Sequence, residues 1–204
     1  KYAEIIKKPN DVKYILEKAF FYAKNGRPGP VWIDVPLDVQ KSTVNIKKLK
    51  SFKPEINKFY SGKIKRDVKK IINLLKKSHK PLFVAGNGVK QSGTIKILKN
   101  IINRCKAPIL LSRFANDLLP HNNKYVMGQA GVKGSRYCKN IMQNADLVIS
   151  LGCRFAPQFV GHDFSAFKNA KIISIDVEKD ELNKKGIKIN YPFNYNLKNF
   201  LPSF

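Results

Sequence analysis

The sequence predicts an α/β protein: a doubly wound, mainly parallel sheet preceded by the last helix–strand unit of another α/β domain. Two observations carry this reading. From Lys63 onward, short β-rich runs alternate with helix-period segments, the pattern of strands joined by crossover helices. Three of those runs end on a glycine or an acid, Gly86, Gly152 and Asp176, where a parallel sheet turns its chain beyond the strand. A third observation separates the two parts. Residues 1–40 hold one helix and one strand, and residues 41–62 are polar, lysine-rich and broken by Pro54 and Gly62, so they read as a linker.

Between Asn10 and Asn25, Val12, Ile15, Leu16, Ala19, Phe20 and Ala23 recur at three- and four-residue spacing. Pro9-Asn10-Asp11 starts this helix and Gly26 stops it. Gly26 to Pro30 is a rigid turn, and Val31-Trp32-Ile33-Asp34-Val35 is a short strand closed by Pro36. A lone strand satisfies neither its edges nor its faces, so 1–40 is expected to be the tail of a larger domain. In 63–204, Ile64, Val68, Ile71, Ile72 and Leu75 line one helix. Strands follow at Pro81–Ala85, Pro108–Ser112, Asp146–Leu151 and Lys171–Asp176, with a fifth at Ile187-Lys188-Ile189. Helices are expected over 92–104, 135–144 and 195–201, and a long loop runs from the second of these strands through Gly134.

Composition narrows the function classes. With 43% apolar and 11% aromatic residues in 204, the chain is neither disordered nor collagen-like. No apolar run is long enough to span a bilayer, and Lys1-Tyr2-Ala3-Glu4 does not begin a signal peptide. Cys105, Cys138 and Cys153 are too scattered for a disulfide framework or a zinc site, which points to the reducing cytoplasm. The formal charge of +25 invites a polyanion partner. Its make-up argues otherwise: 33 Lys against 6 Arg, spread along the chain, with no arginine-aromatic interleaving. The expectation is a background charge and no sequence-specific nucleic-acid partner.

Ligands of a doubly wound sheet bind beyond the carboxyl ends of its strands. Gly86-Asn87-Gly88, Gly152-Cys153-Arg154 and Asp176-Val177-Glu178 stand at such ends. Glycines there let backbone approach a phosphate, and an acid accepts from a ribose hydroxyl, although tight turns and helix capping use the same residues. The full dinucleotide fingerprint is absent, because no third glycine follows at the right spacing. His79, His121 and His162 lack metal-ligand spacing, and no serine or lysine sits in a nucleophile motif. Cys153 reads as a small core residue.

Gly26-Arg27-Pro28-Gly29-Pro30-Val31-Trp32-Ile33-Asp34-Val35-Pro36-Leu37-Asp38-Val39-Gln40 resembles the end of the pyrimidine-binding domain of thiamine diphosphate enzymes of the acetolactate synthase group. Lys80 to Gly88, Met127-Gly128-Gln129-Ala130-Gly131, Asn144 to Phe155 and Ala170 to Glu178 resemble their central domain in the same order. The resemblance implies an intact enzyme that is a homo-oligomer, uses thiamine diphosphate and Mg2+, and acts on a 2-oxo acid. The family's activating glutamate and Gly-Asp-Gly motif fall in segments outside this sequence, so the chain by itself is expected to be inactive. In acetolactate synthases the central domain cradles FAD. The matching positions are Gly86 and Gly88, Leu111 and Ser112, Met127, Gly128 and Gly131, Gly152 and Arg154, then Asp176 and Glu178. Where flavin-binding members carry His, Asp and Arg, this chain has Ala130, Ala156 and Gln158, so FAD is expected only as a weak ligand. The stretch Gln158 to Phe164, with Phe167, looks more like acetolactate-synthase-like proteins of surface-sugar biosynthesis. A non-catalytic nucleotide-binding or scaffold domain is the alternative.

Overall fold

The computed structural model describes residues 1–54, 61–162 and 165–204, and the chain divides into two units, Lys1–Phe59 and Tyr60–Phe204. In the first, β1 (Tyr2–Ile5) leads through a short turn to α1 (Val12–Lys24), then to β2 (Val31–Asp34) and α2 (Leu37–Gln40). The strands pair in parallel from Tyr2 opposite Val31 to Ile5 opposite Asp34. Sequence reading expected a single strand here, and β1 corrects it. Four residues with one half-buried side chain show no apolar alternation, so only the pairing with β2 reveals a strand. Ile6, Ile15 and Val39 bury together beneath α1. Within the expected linker, Asn45 caps a 3-10 turn over Ile46–Lys48. Phe52 then sits among the rings of Tyr14, Phe21 and Tyr22, its N–H donating to the Glu17 carboxylate at 2.7 Å. The rest of that segment, 55–60, lies outside the described residues.

The second unit runs α3 (Ser61–Lys77), β3 (Pro81–Ala85), α4 (Gly88–Gln91), α5 (Ile95–Cys105), β4 (Ile109–Leu111) and β5 (Val126–Gln129). It continues through α6 (Arg136–Asn144), β6 (Leu147–Leu151), α7 (Pro157–Val160), β7 (Lys171–Asp176), α8 (Lys179–Leu182), β8 (Tyr191–Asn194) and α9 (Leu197–Phe200). Its strands form one six-stranded sheet in the order β5-β4-β3-β6-β7-β8, every pair parallel. The order reverses direction between β3 and β6, the switch point of a doubly wound fold.

Alternate strand residues feed two cores, as the period of two requires. Phe83, Ile109, Ile149 and Ile173 face α3, α5 and α9 through Val68, Ile71, Leu98, Ile102 and Phe200. Leu82, Leu110, Val148 and Ile172 face the other layer, where Cys138, Met142, Phe155, Phe159 and Phe167 pack. Two expectations are corrected. The long loop before Gly134 contains β5, an edge strand with a register shift opposite Ile109/Leu110 and no buried residue, so it carries no periodic signal. The last strand is Tyr191–Asn194 rather than Ile187–Ile189. Ile187 and Ile189 pack into the second core instead, and Pro192 is tolerated because β8 is an edge. Asn190 starts it: its N–H donates to Ile172 O at 2.9 Å and its Oδ1 accepts from Ile172 N at 2.8 Å.

Candidate functional site

Parallel pairing puts the carboxyl ends of β3, β4, β6 and β7 side by side along one rim. There the structure assembles Gly86, Gly88, Ser112, Gly152, Arg154, Asp176 and Glu178. Gly86 N–H donates to Leu151 O at 3.0 Å and Gly88 N–H to Gly152 O at 3.2 Å, so the β3 and β6 turns are hydrogen-bonded to each other. A Cβ on Gly86 would stand 2.1 Å from Gly152 O, and one on Gly152, whose φ is +58°, would stand 2.8 Å from the Gly88 Cα. The glycines are there because two backbones meet more closely than a side chain would allow.

Leu111 ends β4, and Ser112 follows it with its N–H on Ala85 O at 2.9 Å. Met127 and Gly128 lie inside β5, away from the switch point, and Met127 O accepts from Tyr137 Oη and from Cys138 Sγ. Gly131 follows β5, its carbonyl accepting from Gly134 N at 2.8 Å. Asp176 is buried at the end of β7, and its Oδ1 accepts from Glu178 N at 2.9 Å, an Asx turn into α8.

Arg154 is the cation of the β6 strand-end loop. Its Nε donates to Glu181 Oε1 at 2.5 Å, and Lys184 Nζ reaches Glu181 Oε2 at 3.2 Å and Phe155 O at 3.2 Å. Burial pushes the Glu181 carboxyl up, but Lys184 and Arg154 outweigh it and hold it below the usual carboxylate range. The Lys184 contact also steadies Phe155, a buried aromatic with φ of +48°, which is a rare backbone state for a bulky residue. Cys153 is buried, and burial raises its thiol to about 11, which removes thiolate chemistry near neutral pH.

Sequence reading missed the loop after β4. Arg113–Ala115 form a 3-10 turn, and Arg113 and Phe114, with Asn116 to His121, line an open cleft of about 760 Å³. The Arg113 guanidinium lies 5.7 Å from the ring centre of Phe114, which is 73% exposed. Among the described residues Asn116 Oδ1 is buried without a hydrogen-bond partner, and Asp117 pairs with Lys90 Nζ at 2.5 Å. The available signal was an adjacent arginine and phenylalanine just past a strand end. Asp163 and Phe164, in the stretch likened to surface-sugar proteins, lie outside the described residues.

A six-stranded parallel sheet wound in this order, with its strand-end turns interlocked, defines a nucleotide-type α/β domain. The family described as "Thiamine pyrophosphate enzyme, central domain" matches residues 68–203, and the chain belongs to it. Among curated relatives, the acetolactate synthase large subunit of Lactococcus lactis subsp. lactis is 30% identical over 200 residues, covering 97% of this chain and 34% of that protein. The probable acetolactate synthase large subunit of Methanococcus aeolicus is 31% identical over 190 residues, covering 92% and 32%. The acetolactate synthase large subunit of Haemophilus influenzae is 28% identical over 211 residues, covering 100% and 36%. The chain spans about a third of the length of the curated relatives it matches.

Proposed function

We propose that this chain supplies the central domain, and with residues 1–40 the end of the pyrimidine-binding domain, of a thiamine diphosphate-dependent, acetolactate synthase-like enzyme acting on a 2-oxo acid. The observation that carries the reading is the family match lying on the six-stranded parallel unit. Residues 1–40 support their part through an incomplete sheet, whose Trp32 is 74% exposed on a strand of only two. Among the described residues no group of three or more His, Cys, Asp or Glu could hold a metal ion, and no helix is long and apolar enough to cross a membrane. In this reading thiamine diphosphate and Mg2+ are held by other parts of a homo-oligomeric enzyme, where the resemblance puts the activating glutamate and the Gly-Asp-Gly motif.

FAD is read as a weak ligand of the rim because Arg154 is paired with Glu181. Gln158 to Phe164 remains the support for an acceptor of the surface-sugar kind, a nucleotide-linked sugar or small ketone. The test is to express the reading frame that contains this chain and, separately, residues 1–204, and to follow pyruvate consumption with thiamine diphosphate and Mg2+. Turnover by the first and none by the second is expected. No turnover by either, with any 2-oxo acid tried, would favour the nucleotide-binding or scaffold alternative.

A further inference from the structure

Two cations from different parts of the chain converge on one carboxylate at the rim. Glu181 sits in α8 with its side chain 13% exposed. Its Oε1 accepts from Arg154 Nε, just beyond β6, and its Oε2 from Lys184 Nζ, just past α8. Two positive charges thus meet one negative charge. Taking Arg154 out of the cluster leaves a paired carboxylate, whereas a buried charge stripped of every partner is strongly disfavoured. Lys184 is itself anchored, because its Nζ also donates to Phe155 O. Arg154 is the more mobile of the two cations by exposure, 67% against 24% for Lys184. Among the described residues Arg154 donates only through Nε. Its two terminal nitrogens, the fork that meets phosphate oxygens two at a time, have no protein acceptor there.

We propose that Glu181 sets the affinity of the rim for the diphosphate of a dinucleotide: it holds Arg154 as an internal counterion and yields it to the phosphate, while Lys184 keeps the carboxylate paired. Resting on the reading of the rim as a weak flavin site, this assigns the weakness to one side chain. The diphosphate captures the open fork first. The Nε–H then leaves Glu181 Oε1, and that oxygen turns to water while Oε2 stays on Lys184. Glu181 opposes the exchange in two ways: it neutralises the arginine before the ligand arrives, and its own charge repels the incoming phosphates. Glu181→Gln removes both effects and keeps the side chain's size. One charge-assisted contact regained changes affinity by about tenfold or more. Asp180, exposed and one residue earlier in α8, carries the same charge without a bond to Arg154, so it separates pairing from net charge.

The experiment titrates FAD, and separately riboflavin, with the 204-residue chain and follows flavin fluorescence anisotropy. Riboflavin carries the ring and no phosphate, so it reports binding that bypasses Arg154. E181Q is expected to bind FAD about tenfold or more tightly than the parent, with riboflavin changed by less than about twofold. E181Q/R154Q should fall back to the parent level or below, and D180N should stay within about twofold of the parent. E181A takes the place of E181Q if thermal melts show that variant unfolding. Equal FAD binding by E181Q and the parent would overturn the proposal and leave the weak flavin site standing. Weaker binding by E181Q would make Glu181 a positioning residue that aims Arg154, and would overturn it too. So would a matching gain for riboflavin, a D180N variant as tight as E181Q, or a double variant that keeps the gain. No FAD binding by any variant would overturn the flavin reading together with the proposal.

Discussion

At the residue scale, two contacts carry more than their size suggests. Gly86→Ala puts a methyl carbon onto a carbonyl oxygen 2.1 Å away, and that oxygen belongs to backbone that is itself hydrogen-bonded to Gly88. The β3 and β6 turns must part, at a cost of about 3 kcal/mol. For a chain of this length that lowers Tm by about 6–12 °C, read by calorimetry; a shift under about 2 °C would mean the turns have slack. Asp146 is the second. Burial pushes its carboxyl up, but hydrogen bonds from Ser78 Oγ, His79 N at 2.8 Å and Lys80 N at 3.1 Å outweigh this and hold it below the usual range. Because the folded value is the lower one, the unfolded chain takes the proton first. The contribution is complete above the unfolded pKa of about 3.9 and is lost as pH falls through the folded value. Asp146→Asn should cost about 1–2 kcal/mol at pH 7. It should also lose less further stability than the parent between pH 5 and pH 3, as thermal melts across that range would show.

At the element scale, β8 depends on one side chain. Asn190 Oδ1 satisfies the N–H of Ile172, a residue 2% exposed at the start of the β7–β8 pairing. Asn190→Ala leaves that donor buried and unpaired, at about 1–3 kcal/mol. The expected result is a lower Tm together with faster hydrogen exchange at Phe193 and Tyr195, whose amides lie along the same edge; unchanged exchange there would show that β8 is held from its other end. That other end is tied by Tyr195 Oη to Asp67 on α3, and the loss of solvent around the phenol, with the adjoining carboxylate, holds the Tyr195 pKa above its ordinary value.

At the scale of the whole molecule, the rim decides what the domain can hold. Arg154, the arginine after β6, is engaged by a carboxylate from α8, so a pyrophosphate must compete with Glu181 for it. A charge-assisted contact is worth about 1.5–3 kcal/mol, and its loss weakens binding about tenfold or more. The purified chain is expected to be colourless, taking up FAD only at high concentration. Stoichiometric yellow flavin, released on denaturation, would show that Arg154 exchanges partners readily. The charge of the molecule has a comparable geography, since most described acids of the second unit gather at the rim and α3 keeps only Asp67.

The alternation of apolar strand runs with helix-period segments determined the α/β class, the four inner strands and the glycine turns. Burial on both faces writes β3, β4, β6 and β7 into the sequence as apolar runs. The edges were illegible for the opposite reason. β1, β5 and β8 hold only one buried residue, Phe193, so pairing rather than composition makes them strands. The rim residues could be named from Gly86, Gly152 and Asp176 because a parallel sheet places its strand ends together. What those residues touch could not. Glu181 lies 27 positions from Arg154, and Gly152 lies 66 from Gly86, so their contacts exist only after β3, β6 and β7 have aligned. Local pattern reports which side chains avoid water, whereas partners distant in sequence are chosen by the closed sheet. That is why the sequence showed where the turns stand, and only the tertiary structure showed that the β3 and β6 turns are packed on and hydrogen-bonded to each other.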